Sequence, residues 1–258
     1  MLLNLRVGVP RVCPRLPRRS SPLQWPRRHF ASSQPRLSRP PPRQGYLQFL
    51  DDIPQNTVLW GIIGLNAGVF GMSWYARKKL DVERNPSMYL WMQKHFKSSW
   101  RNLSQGRIWT LLTSTFTHSD RDVTHILFNG LTFYFLSPMA LSILGSRQFI
   151  FLYFGGGALA ELGSMAYLNI VRHRDPYTIG ASAAVYSTLS FLAFSAPRTT
   201  LLVYGIIPVP IWLVVGGLFS YDLYRTAADT GGTTSTTGHV GGFLAGAGYY
   251  FLRVFRVF

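Results

Sequence analysis

Hydrophobic residues along this chain gather into six blocks, at about Asn56–Ala76, His125–Leu144, Phe149–Ile170, Thr178–Ser195, Thr199–Ser220 and Gly238–Phe255. Each is close to the roughly 20 residues that a helix needs to cross the hydrocarbon of a bilayer. The pattern predicts an all-α membrane protein, a bundle of six transmembrane helices. Pro208 and Pro210 fall in the fifth block, where their missing N–H groups and ring clashes predict a bend or a local opening. The interval 77–124 is much longer than the other connections and carries Trp91, Trp100 and Trp109 among lysines and arginines. Aromatic and basic residues together predict a segment lying in the headgroup layer. A second connection, Ala227–Thr237, is rich in Gly and Thr and is expected to be flexible and polar.

The first 50 residues are of another kind. They hold ten arginines and nine prolines, and no acid occurs before Asp51. An acid-free, arginine- and serine-rich start predicts a mitochondrial targeting segment over 1–50, disordered and removed on import, because prolines and arginines interrupt any apolar core that a secretory signal would need. The run Arg28-His29-Phe30-Ala31-Ser32 resembles mitochondrial processing sites, with cleavage expected after Phe30. Most of the net charge of +16 therefore sits in the leader or between the first two blocks. No basic helix face or stripe remains to read a phosphate backbone, so no nucleic-acid partner is expected. Cys13 is the single cysteine, which rules out an intrachain disulfide and a cysteine-rich metal site. No metal and no cofactor are expected.

Polar side chains inside a bilayer are expensive, so their positions carry information. His125 begins the second block, Ser182 lies near the start of the fourth, and His239 begins the sixth. In an alternating six-span chain the even-numbered helices all start on one side, which puts these three residues in one layer. A serine hydroxyl attacks only when a neighbouring group takes its proton, and His239 is a candidate base for Ser182. Asn129 lies one helical turn after His125, where its amide could hold a developing oxyanion. Gly242 and Gly246 have small-xxx-small spacing, as do Gly180, Ala184 and Thr188, so the fourth and sixth helices are expected to approach closely.

The segment His125-Ile126-Leu127-Phe128-Asn129 resembles the H-x-x-x-N motif of the rhomboid intramembrane serine proteases. Gly180-Ala181-Ser182-Ala183 with Tyr186 is similar to that family's G-x-S-x nucleophile turn, and His239-Val240-Gly241-Gly242 to its H-x-G-G ending. The resemblance spans nearly all of 56–255, and its motifs together are specific. It implies a six-span rhomboid-like bundle and a Ser182–His239 dyad. It also implies an oxyanion and substrate-binding site from His125, Asn129, Gly180, Ala181 and the Ser182 amide. Tyr186 would pack on the His239 ring, and Gly242 and Gly246 would permit tight helix packing. The family's W-R pair is altered here: Thr110 follows Trp109, and the nearest arginine is Arg107.

The expected activity is hydrolysis of single-span membrane proteins within or near their transmembrane helices, with the lipid bilayer as the other partner. The alternative, a silent rhomboid-like protein that binds membrane helices, would be marked by loss of the serine or the histidine, and both are present. Asp222 and Asp229 fall outside the blocks and are assigned no catalytic part; Glu161 is expected to tie helices or a loop together. With its N-terminus in the matrix of a mitochondrial inner membrane, the layer of Ser182 would face the intermembrane space, whereas the basic first loop argues for the opposite orientation.

Overall fold

The computed structural model describes residues 47–203, 206–230 and 235–255. The leader expected over 1–50 lies outside them apart from its last residues, as does the middle of the Gly/Thr connection. The described chain is mostly helical. Helix α1 (Gln55–Glu83) starts after Pro54 and stops at Arg84, which has φ 54. Three short helices follow, α2 (Ser87–Phe96), α3 (Trp100–Ser104) and α4 (Thr110–Thr113). Helix α5 (Val123–Ile150) is broken at Gly145, with φ 74 and ψ 168, a conformation open to glycine because it has no Cβ. Its second limb passes through a π-helical turn, Phe151–Gly155, into α6 (Gly156–Ile170). Among the described residues, Gln55–Glu83 and the broken run Val123–Ile170 are both long and apolar enough to cross a membrane.

The remaining elements shift two expected boundaries. Helix α7 spans Ser182–Ser195, so Thr178–Ala181 is a turn leading into it and no part of the helix. At about 1.5 Å per residue it is only about 21 Å long. The fifth block differs more. Its first half is a hairpin of β1 (Thr200–Val203) and β2 (Ile207–Pro210), antiparallel with Thr200 opposite Pro210, and only then does α8 (Ile211–Ala227) begin. Pro208 and Pro210 are the cause: neither has an N–H to give to a helix, and Pro210 holds φ −58 and ψ 138 immediately before it. The expected bend within a helix is thus a hairpin ahead of one. Displaced towards the C-terminus, α8 takes in Asp222. The last helix, α9, spans Thr236–Phe255.

Helix α7 sits at the centre, packed by α5, α6, α8 and α9. Ala184 and Leu192 have no exposed surface. The outward faces are apolar instead of polar, with Trp60, Phe128, Phe135, Leu159, Trp212 and Leu252 all exposed; a water-soluble domain does not leave such continuous apolar surface. Hydroxyls occupy the interior. Ser190 donates to the Phe243 carbonyl at 2.7 Å and Ser187 to that of Leu152 at 3.3 Å. Small residues let backbones meet here, as the Gly242 and Gly246 spacing anticipates. A Cβ on Gly242 would collide with the Ala183 carbonyl oxygen, and one on Gly246 with that of Ser187.

Gly246→Ala is expected to lower stability by about 1–3 kcal/mol through overpacking. Gly64→Ala, where nothing lies within 4 Å, should be neutral or should stabilise by up to about 1 kcal/mol. Thermal unfolding of both variants in detergent micelles checks the contrast.

Candidate active site

The turn before α7 is held by backbone bonds from the interval between α1 and α5. Thr178 N–H donates to the Ser98 carbonyl at 2.8 Å, Ser98 N–H donates back at 3.0 Å, and Gly180 N–H donates to the Ser114 carbonyl at 3.0 Å. The Thr178 hydroxyl donates to Glu161 Oε2, so Glu161 ties α6 to this turn. The bracing segment is itself anchored. Asp175 accepts from the Trp100 and Arg101 amides at 2.6 and 2.9 Å, and Arg77 pairs with Asp120 at 2.8 Å.

Ser182 is the first residue of α7, and no side chain caps that helix end. Its first-turn N–H groups therefore lack intrahelical acceptors; Val185 N–H, donating to the Ala181 carbonyl at 2.9 Å, begins the helical bonding. Ser182 is 8% exposed and lines a cavity of about 760 Å³ together with His125, Tyr177, Thr178, Arg172 and Thr237. Gly180 has φ 118, and its missing side chain leaves open a point 3.2 Å from His125 Nε2 and 3.6 Å from Ser182 Oγ. The serine hydroxyl and the His125 ring therefore face one small space. Ala181 is buried beside it.

His239 lies in the first turn of α9, buried, and its ring stacks on Tyr186 with centroids 4.1 Å apart and planes 17° from parallel. Tyr186 is one turn beyond Ser182 on the same face of α7, and helical side chains lean back towards the N-terminus. The stack consequently holds the imidazole over the turn that carries the serine. On its other edge, His239 Nδ1 is 3.0 Å from Asp222 Oδ2, and both side chains are buried. With Nδ1 engaged, Nε2 is the ring nitrogen left for another partner.

His125 stands in the first turn of α5, whose N-terminus is capped by Asp122 accepting from Thr124 N–H at 2.9 Å. Asn129 is placed differently from the other candidates. Its amide nitrogen donates to the His125 carbonyl at 2.8 Å, and it borders an apolar cleft between α1 and α5, not the cavity of Ser182. The structure thus groups Ser182, His125 and Gly180 about one opening and His239 with Tyr186 and Asp222, with Asn129 one step removed. Asp222 is the residue that reading the blocks missed. Its signal was available once α8 was started after Pro210, because Ile211, Val215 and Asp222 then fall on one stripe, and they are the buried residues of that helix.

Residues 105–256 match the family described as Rhomboid domain. The chain is 30% identical over 215 residues to "RHOMBOID-like protein 12, mitochondrial" of Arabidopsis thaliana, covering 78% of this chain and 59% of that protein. It is 29% identical over 157 residues to "Presenilin-associated rhomboid-like protein A, mitochondrial" of Danio rerio, covering 61% and 36%. A Bacillus subtilis protein whose name includes "rhomboid protease" is 26% identical over 92 residues, covering 36% and 43%. In each case the chain spans less than two thirds of the relative's length.

His118 lies in the connection before α5, 2% exposed, its ring 5.2 Å from that of His125. Burial, with the neighbouring His125 adding to it, pushes its pKa down to about 4. The unfolded ring takes up its proton near pH 6.5, so the folded state is at full advantage above that pH and loses it as the pH falls towards 4. The loss is on the order of 3 kcal/mol. His118→Gln should remove this part of the pH dependence, read as a smaller gap between unfolding temperatures at pH 7.5 and pH 4.5 than in the wild type.

Proposed function

Because the chain belongs to the rhomboid family, we propose that it is an intramembrane serine endopeptidase that cuts single-span membrane proteins within or near their transmembrane helices. The observation that carries this reading is the Tyr186–His239 stack, one helical turn beyond a serine that opens onto a polar-rimmed cavity. Ser182 Oγ attacks the scissile carbonyl while His239 Nε2 takes its proton. The Ser182 N–H, unclaimed by the helix, and His125 across the Gly180 opening stabilise the oxyanion. Asn129 assists by turning its amide from the His125 carbonyl towards the substrate.

The cavity admits the water that hydrolysis consumes. A substrate helix hides its carbonyls in hydrogen bonds, so a segment weakened by small or helix-breaking residues would unwind to reach the serine. The six spans of the bundle are α1, α5 up to Leu144, the limb from Ser146 through α6, then α7, α8 and α9, with their apolar outer faces in lipid. The acid-free, arginine-rich start and the word mitochondrial in the names of two relatives support a mitochondrial location, and the inner membrane is the one proposed.

Labelling of the detergent-solubilised full chain by a fluorophosphonate tests this reading. The wild type is expected to label, and Ser182→Ala and His239→Ala to lose the signal by about 10³-fold or more. Labelling that survives Ser182→Ala, or a wild type that neither labels nor cuts a single-span reporter with a helix-breaking residue, would sink the peptidase assignment.

A further inference from the structure

Helix α8 buries a carboxylate where its pattern calls for an apolar side chain. Ile211, Val215 and Asp222 form its inward stripe, while Trp212, Leu213, Tyr221, Leu223 and Tyr224 are exposed around it. Asp222 is 4% exposed. An acid buried on an otherwise apolar helix is costly unless a partner compensates it, and its partner is His239 Nδ1 at 3.0 Å. The ionisable groups facing His239 are Asp222 from α8, Tyr186 from α7, Glu161 from α6 and His125 from α5. Glu161 is bonded to Thr178, which leaves Asp222 as the acid on the ring.

Stacking on Tyr186 fixes the plane of the imidazole, but a ring face is the same for either tautomer. A carboxylate at Nδ1 does distinguish them, since it accepts a proton held there and so leaves Nε2 bare. The geometry points to Asp222 as a third member of the catalytic group, a positioning residue that holds His239 in the Nδ1–H tautomer and supports the imidazolium formed when Ser182 is deprotonated. It rests on the peptidase reading above. The Oγ–H proton passes to Nε2 as the Oγ–C bond forms and the carbonyl pair moves to oxygen. The same proton goes to the leaving nitrogen as the C–N bond breaks, and water repeats the sequence to free the enzyme. Asp222 gains no proton at any step.

The test compares wild type, Asp222→Asn, Asp222→Glu and Ser182→Ala as full chains in detergent, by the rate of fluorophosphonate labelling across pH 5.5–9.5 and by cleavage of a single-span reporter. Asp222→Asn is expected to slow labelling by about 10²–10⁴-fold. It should lower kcat with KM unchanged, and move the pH midpoint of the rate downward because the imidazolium loses its counter-charge. Asp222→Glu should recover part of the rate and the wild-type midpoint. A residue that merely anchors α8 would change none of these in a variant that keeps its unfolding temperature. Should Asp222→Asn not fold, ¹⁵N-histidine spectra of the wild type, assigned with His239→Gln, decide the matter: a protonated Nδ1 and a bare Nε2 support the inference, and the reverse overturns it. Asp222→Asn labelling within about threefold of wild type at an unchanged midpoint overturns this inference alone. A wild type that neither labels nor cuts overturns the peptidase reading and this inference with it.

Discussion

Where α7 meets α9, backbone touches backbone. Gly242 faces the carbonyl of Ala183 and Gly246 that of Ser187, with no room for a methyl group at either place. The rest of the site follows from this closeness. The serine is on one helix and the histidine on the other, and a normal helix separation of about 8–10 Å would set them further apart. In lipid, apolar contact alone gives helices little reason to associate, so small residues and buried hydroxyls supply it. Ser190, donating to the Phe243 carbonyl, fastens the same interface one turn further on.

A short central helix can be tolerated because everything around it is longer. Helix α7, with 14 residues, is shorter than the roughly 20 that span a hydrocarbon layer, and Ser182 at its N-terminus is buried within the bundle. The orphaned amides of its first turn are costly in lipid and lie instead beside a cavity with polar lining, where an acceptor can take them up. Burial of Ser182 and His239 then strengthens each electrostatic contact made there.

Much of this site can be read along the chain, for a physical reason. Ser182, Tyr186, His239 and the paired glycines are local signals: a polar residue at a block edge, a one-turn spacing, a missing side chain. The blocks at 125–144 and 149–170 are likewise visible, and Gly145 marks their junction. Asp222 escapes because its meaning depends on where its helix starts, and that start is set by two prolines which also build a hairpin that hydropathy alone does not distinguish from a helix. The bracing of the turn before α7 escapes for a different reason. It is made by backbone groups of Ser98, Ser114, Thr178 and Gly180, and a backbone bond leaves no mark on residue identity.

That last feature bears on how such a chain can change over generations. The segment between α1 and α5 supports the turn with its main chain, so the path of the segment matters more than its letters. Exposed side chains there, such as Ile108 and Leu112, can drift while the buried Asn102 and Thr117, which bond the segment's own carbonyls, keep its route, whereas loss or gain of a residue would move the support itself. The segment would thus be permissive to substitution on its exposed face and intolerant of insertion, unlike an ordinary surface loop.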